Sequence, residues 1–278
     1  MKLVRFADKN GARYGILEGK RVAPTSARTL EQALALTGSD EAPVDVETLD
    51  LLAPVERPRK ILGIAVNYAA HAAESVSFAD TKSPQVQKWF NKQASSANAP
   101  FGEVHLPRVS SQLDYEVELV VVIGKHGRHV PANRAMEIVA GFCVGCDYSV
   151  RDWQKASPTM IMGKGFDTHA PFGPAIVTPD EIGDLSSLQL RCHVNDELRQ
   201  SGHVRDMIHD IPAQIAHLTA AFTLEPGDLI FTGTPAGVGA GHTPPKWLKA
   251  GDRVRCEIDQ IGLIENDIIV EPAETRIG

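Results

Sequence analysis

The segment Asp114-Tyr115-Glu116-Val117-Glu118-Leu119-Val120-Val121-Val122-Ile123 decides how this chain is read. Its β-branched run predicts a strand. Alternate side chains of a strand share a face, so Glu116 and Glu118 lie on one side, about 6–7 Å apart along the backbone. Asp114 shares that side, while Tyr115, Val117, Leu119, Val121 and Ile123 line the other and mark the strand as buried. Glu-x-Glu pairs are common on solvated edge strands, but four apolar residues, Leu119 to Val122, follow at once here. Acids clustered in such a place repel one another unless a cation holds them. A later apolar run ends at Asp147. Glu116, Glu118 and Asp147 together offer three oxygen ligands, the donor type suited to a hard cation such as Mg2+ or Mn2+.

On the N-terminal side of this segment, the strand Lys60–Val66 leads into Asn67-Tyr68-Ala69-Ala70-His71-Ala72-Ala73-Glu74. If this piece is helical, His71 and Glu74 are i, i+3 neighbours, and the carboxylate orients the imidazole and raises its basicity. Such a pair activates water, or is a helix-surface pair of no chemical consequence. On the C-terminal side, Gly163-Lys164-Gly165 places a lysine where it offsets clustered carboxylates or contacts an anionic substrate, a solvated lysine being the alternative. Phe231-Thr232-Gly233-Thr234-Pro235-Ala236-Gly237-Val238-Gly239 comes off a strand but lacks the Gly-Lys-Ser/Thr of a phosphate loop and does not match G-x-G-x-x-G. Its amides and Thr234 can still cradle a carboxylate.

Composition is that of an ordinary globular protein: 278 residues, 43% hydrophobic and 23% charged. A net charge of −7 and a pI near 5.8, with no Lys/Arg cluster, exclude a nucleic-acid or anionic-membrane footprint and leave small polar substrates open. There is no apolar segment of transmembrane length and no secretory h-region at Met1-Lys2-Leu3-Val4-Arg5-Phe6, so a cytoplasmic protein is expected. Cys143, Cys146, Cys192 and Cys256 are too few for a disulfide scaffold. The C-x-x-C of Cys143 and Cys146 sits inside an apolar run and reads as buried thiols.

Residues 1–55 alternate short strands, Lys2–Ala7, Arg13–Leu17 and Arg21–Pro24, with turn signals, and Pro54 and Pro58 mark a linker. A small N-terminal β-meander domain over 1–55 and a larger domain over 56–278 are expected. In the larger part short strands dominate, with helical patterning only at Tyr68–Glu74, Asn133–Glu137 and Ile211–Phe222. Strands do not alternate with long helices, so a β-rich α+β fold is preferred over a doubly wound sheet. Ser75–Asn98 is polar with scattered apolar residues and reads either as a surface loop or as a lid ordered by substrate.

Several of these segments together resemble the fumarylacetoacetate hydrolase family, in its shorter branch of hydrolases and isomerases that contain the family's domain. They are Asn67-Tyr68-x-x-His71-x-x-Glu74, Leu113 to Leu119, Gly145-Cys146-Asp147-Tyr148 running on to Gln154, Gly163-Lys164-Gly165-Phe166-Asp167, Asp206-Met207-Ile208, Leu224 to Asp228, and Thr232 to Gly239. They stand in the family's order and span about residues 60–270. The resemblance implies a mixed β-sheet roll, a small N-terminal β domain and a homodimer. It implies that Glu116, Glu118 and Asp147 bind Mg2+ or Mn2+ and that Lys164 lies close to the metal. His71 and Glu74 would form a water-activating dyad on a short helix, Gln154 would support developing charge with Lys164, and Arg151, Thr234 and Tyr68 would contact the substrate.

The substrate class that follows is a small 2-oxo or 2,4-diketo acid. The leading expectation is hydrolysis of a C–C bond in an acylpyruvate or fumarylpyruvate type of acid, through an enolate held by the metal. The alternative is decarboxylation or tautomerisation of oxaloacetate, or isomerisation of a hydroxymuconate-type dienoate, at the same site. Two departures stand out: Ala69-Ala70 replaces a polar pair before the histidine, and Gln93-Ala94-Ser95-Ser96 replaces a proline-containing segment. The first leaves the dyad intact; the second alters a loop expected to border the pocket.

Overall fold

The structure, a computed structural model, describes residues 1–39, 41–75, 86–275 and 277. Val117–Ile123 is a strand with every residue buried, and it lies in the middle of a twelve-stranded mixed sheet. One neighbour is Val139–Cys146, antiparallel, with Val117 opposite Cys146 and Glu118 opposite Gly145. The other is Leu229–Phe231, also antiparallel, with Val120 opposite Phe231. Beyond it Ile61–Ala65 runs parallel to Leu229–Phe231.

On the far side of Val139–Cys146 comes Ala170–Val177, and the hairpins of the first residues extend the same sheet. Lys2–Asp8 pairs antiparallel with Ala170–Val177, Leu3 facing Ile176, and Gly11–Glu18 and Arg21–Pro24 follow in turn. A second sheet of five strands is built from Glu197–His203, Gln189–Val194, Arg253–Ile258, Gly262–Val270 and Val104–Leu106.

Strand alternation divides the interior into two packed regions. Val117, Leu119, Val121 and Ile123 face the second sheet and pack with Leu190, Val254, Cys256 and Ile264. Val120 and Val122 face the other way, onto Leu3, Tyr14, Ile61, Phe172 and Phe231. Cys143 and Cys146, three apart on one strand, accordingly go to different regions, and all four cysteines are buried free thiols. The β-rich reading, with few helices, matches this architecture. Among the described residues no helix is long and apolar enough to cross a membrane.

Two local expectations need correction. The run 114–123 is not one strand: Leu113–Asp114 pairs with Ser149–Val150, and the ladder to Val139–Cys146 begins only at Val117. Asp114 causes the break, because its carboxylate accepts the N–H of Tyr115 at 2.9 Å, a local bond that competes with a sheet ladder. The stretch 75–98 is the second case. Residues 76–85 of it lie outside the described residues, but Lys88–Lys92 is a strand, antiparallel to Ile61–Ala65, rather than a surface loop. Phe90 and Lys92 point inward, and Gly63 opposite Phe90 makes this fit, since a Cβ there would lie 2.3 Å from the ring.

Candidate active site

Antiparallel pairing assembles the acids. Glu116 immediately precedes one strand and Asp147 immediately follows its neighbour, so the two meet at one end of the pair, where the Asp147 N–H donates to the Glu116 carbonyl at 2.8 Å. Glu118 is one pleat further in. One oxygen from each of Glu116, Glu118 and Asp147 lies within 4.8 Å of the others, and all three residues are buried.

Cations and amides surround the cluster. Lys164, at the end of the short helix Ile161–Lys164, donates to Glu116 Oε2 at 2.7 Å and to Asp147 Oδ2 at 2.6 Å. Arg151, which opens the helix Arg151–Ala156, pairs with Glu116 Oε1 at 2.6 Å and Asp114 Oδ2 at 2.8 Å. Glu118 Oε2 accepts the Gly233 N–H at 2.7 Å. Gly233 adopts φ +98, and a Cβ there would sit 2.6 Å from that of Asn67, so this approach of the loop to Glu118 needs glycine.

The electrostatics of the three acids differ. Burial works against the charged form of Glu116, but Lys164 and Arg151 outweigh it and hold its carboxyl well below the usual range. For Glu118, burial and then the charges of Asp147 and Glu116 push the carboxyl well above that range. Among the described residues no lysine or arginine forms an ion pair with Glu118. An acid so placed is relieved either by a proton or by a divalent cation. The donor set of three carboxylate oxygens fits a hard cation of the Mg2+ or Mn2+ type.

The helix Ala69–Ser75 follows Ile61–Ala65 and carries the other pair: His71 Nδ1 lies 3.1 Å from Glu74 Oε2. Both belong to one turn, and the carboxylate fixes one ring nitrogen. A cavity of about 540 Å³ is lined by His71, Glu116, Glu118, Arg151, Gln154 and Lys164, with Thr234, Phe90 and Met160 also on its wall. Gln154 accepts from Arg151 Nη1 at 2.9 Å. The Thr234 hydroxyl donates to the Val117 carbonyl at 2.9 Å and accepts from Gln200 Nε2 at 2.8 Å.

Most expected site residues therefore converge; Tyr68 does not, and Asp114, to which no ligand role was given, and the glycine-rich loop have partners of their own. Tyr68 is fully buried and does not line the cavity; its hydroxyl has no hydrogen-bond partner among the described residues. Asp114 serves as an anchor and not as a fourth acid of the cluster, accepting the N–H groups of Gly239 at 2.7 Å and Ala240 at 3.0 Å as well as Arg151. The glycine-rich loop does cradle carboxylates, and they are those of the chain itself: Glu118, Glu74 and Asp114.

Two residues escaped sequence reasoning. Lys92 donates to Asp147 Oδ1 at 2.5 Å and to the Tyr148 carbonyl at 3.1 Å. Its signal was the alternation of Lys88, Phe90 and Lys92, hidden in a polar stretch. Gln200, buried, accepts the Val117 N–H at 3.0 Å and donates to Thr234 and Pro235, tying the acid-bearing strand to the loop. A lone glutamine in a strand gives no signal of its own.

The model of the fumarylacetoacetate (FAA) hydrolase C-terminal domain matches residues 60–269, which hold every residue of this site. The chain belongs to the fumarylacetoacetate hydrolase family. Residues 1–54 match a second model, described as Rv2993c-like, N-terminal.

Among curated relatives, the protein named oxaloacetate tautomerase FAHD2A, mitochondrial, of Homo sapiens is 44% identical over 220 residues, covering 78% of this chain and 69% of that one. Oxaloacetate tautomerase fahd2, mitochondrial, of Xenopus laevis is 41% identical over 242 residues, 86% of this chain and 75% of that protein. Among solved structures, the fumarylacetoacetate hydrolase of Exiguobacterium antarcticum superposes with a TM-score of 0.86 at 33% identity, over 98% of this chain and all of that one. A 5-carboxymethyl-2-hydroxymuconate delta-isomerase from Mycobacterium smegmatis does so at 0.83 and 30%, with the same coverage. The chain is thus an enzyme of this family.

Proposed function

We propose that this chain catalyses the enol–keto interconversion of a small 2-oxo dicarboxylic acid of the oxaloacetate class. One observation carries the reading: His71, held by Glu74, and two of the clustered acids, Glu116 and Glu118, line one cavity of about 540 Å³. The names of the relatives from Homo sapiens and Xenopus laevis favour tautomerisation over the C–C hydrolysis that leads the sequence reading.

Glu116, Glu118 and Asp147 would hold Mg2+ or Mn2+, which when bound supplies Lewis-acid polarisation of the substrate's oxygens. The chain's own residues do the rest. Glu74 fixes Nδ1 of His71, which leaves Nε2 to carry the proton to or from the carbon beside the oxo group. Lys164 and Arg151 hold Glu116 in place, and Gln154, held in turn by Arg151, contacts the substrate with Thr234. The cavity wall, in which Phe90, Ile64 and Met160 take part, limits access of water to the reacting carbon.

A second reading rests on the likeness to the Exiguobacterium antarcticum hydrolase: the same pair activates water and cleaves a C–C bond in a 2,4-diketo acid. Product analysis separates the two. The purified chain with Mn2+ is given enol-oxaloacetate and, separately, an acylpyruvate, and both enol absorbance and cleaved acid are followed. Fast loss of enol with no cleavage product supports tautomerisation, and a carboxylic acid released in proportion to pyruvate overturns it. His71→Ala should lower kcat by about 100-fold; wild-type kcat in that variant removes the proton-transfer role.

A further inference from the structure

Glu74 does more than meet His71. Its carboxylate also accepts the N–H of Gly237, at 3.0 Å for Oε1 and 3.2 Å for Oε2, so the helix Ala69–Ser75 is seated on the loop that follows Leu229–Phe231. Further along that loop, in the single turn Gly239–Gly241, a Cβ built on Gly241 would lie 2.1 Å from Glu74 Oε1, 2.3 Å from Cδ and 2.6 Å from Cγ. All three of its nearest atoms belong to Glu74. No other glycine of the loop has this relation: a Cβ built on Gly237, at φ +105, would lie 1.9 Å from the Arg199 carbonyl oxygen, and one built on Gly239 would meet the Lys246 carbonyl and Asp114.

We propose that Gly241 is a positioning residue for the His71–Glu74 pair, its missing side chain being the space in which the Glu74 carboxylate lies. The backbone of Gly241 stays out of the left-handed region, so alanine there brings no conformational strain. What must yield is the Glu74 side chain, a flexible group that moves at little cost to the fold. A displaced carboxylate leaves the Gly237 amide and His71 Nδ1, and the imidazole loses the partner that selects its tautomer. The inference rests on the acid–base role given to the pair under Proposed function.

A double-mutant cycle tests it, because a steric effect routed through Glu74 disappears when Glu74 is shortened. Gly241→Ala should lower kcat by about 10- to 100-fold with little change in KM. In a Glu74→Ala background the same substitution should change kcat by less than about twofold. Mn2+ affinity, read by electron paramagnetic resonance, should stay the same in all three variants, since none touches the acid cluster. Nitrogen-15 NMR of His71 should report the proton on Nδ1 in the wild type and its loss from that nitrogen in Gly241→Ala.

Equal losses in both backgrounds would mean that Gly241 acts elsewhere and overturn this inference alone. Wild-type kcat in Glu74→Ala would overturn the role of the pair, and this inference with it. If Gly241→Ala unfolds, recovery of Tm in the double variant supports the steric relation, and no recovery overturns it.

Discussion

Lys92 Nζ lies 2.5 Å from Asp147 Oδ1, while Lys164 Nζ lies 2.6 Å from Asp147 Oδ2, so each oxygen of one buried carboxylate is held by a different lysine. The pKa values of the two lysines shift in opposite directions. Burial lowers both, but for Lys164 the charges of Asp147 and Glu116 win and raise its pKa, whereas for Lys92 burial prevails and lowers it. Lys92 comes from the edge strand Lys88–Lys92 and Lys164 from the helix Ile161–Lys164, so the aspartate joins two elements that are distant in sequence.

Replacing Lys92 by methionine keeps the volume and removes the charge, leaving Asp147 Oδ1 and the Tyr148 carbonyl without their donor. Breaking a buried pair by deleting one partner costs about 3–5 kcal/mol, and the remaining Lys164 contact puts the expected loss at the lower end, about 3 kcal/mol. Urea unfolding of Lys92→Met measures it. A loss below about 0.5 kcal/mol would show the pair to be energetically idle.

Gly233 joins three parts of the site at one residue. Its N–H serves Glu118, its φ of +98 suits glycine, and its Cα hydrogen faces Asn67, whose side chain bonds Thr232 and His209. Gly233→Ala should therefore cost at least about 1–3 kcal/mol in stability. It should also weaken Mn2+ binding, because Glu118 is no longer held. Calorimetric titration together with urea unfolding checks both, and unchanged values in the two measurements would contradict the assignment.

The acid trio was legible because two simple periodicities place it. Alternation along Val117–Ile123 puts Glu118 on the face opposite Val117 and Leu119, and the apolar run Val139–Cys146 delivers Asp147 to the adjacent strand end. Helical spacing made the proximity of His71 and Glu74 legible, whereas a catalytic role for the pair was implied only by the family resemblance. What stayed hidden depends on pairing between distant segments. Lys92 sits in a stretch whose composition is that of a loop, and its burial follows from Phe90 packing over Gly63. Asp114 fits the strand pattern, yet amides of Gly239 and Ala240, 125 and 126 residues away, take its carboxylate. No local rule reports a bond of that span.

Removing two of the three acids should separate chemistry from folding. In Glu116→Gln, Glu118→Gln the shape of the cluster is kept while two anionic ligands are lost. Mn2+ affinity is expected to fall by more than about 100-fold, with enol–keto activity falling in parallel. Titration with Mn2+ followed by electron paramagnetic resonance decides it. Wild-type affinity in the double variant would remove the metal assignment and leave the His71–Glu74 pair standing by itself.

The pH dependence of the cluster centres on Glu118. Burial, then Asp147 and Glu116, raise its pKa in the folded chain above the unfolded value near 4.3, so the folded state holds that proton more tightly. Its contribution to stability is fully present below the unfolded pKa and is lost as pH rises through the higher folded value. In chelator, the stability of the wild type relative to Glu118→Gln should fall across that window, because only the wild type must ionise a crowded acid. A cation needs the ionised carboxylate, so Mn2+ affinity should rise with pH over the same range and saturating Mn2+ should cancel the fall. Urea unfolding of both proteins from pH 4.5 to pH 8, with chelator and with Mn2+, gives the four curves. Parallel wild-type and Glu118→Gln curves in chelator would mean that Glu118 ionises with no penalty, and the electrostatic account of the cluster would fall.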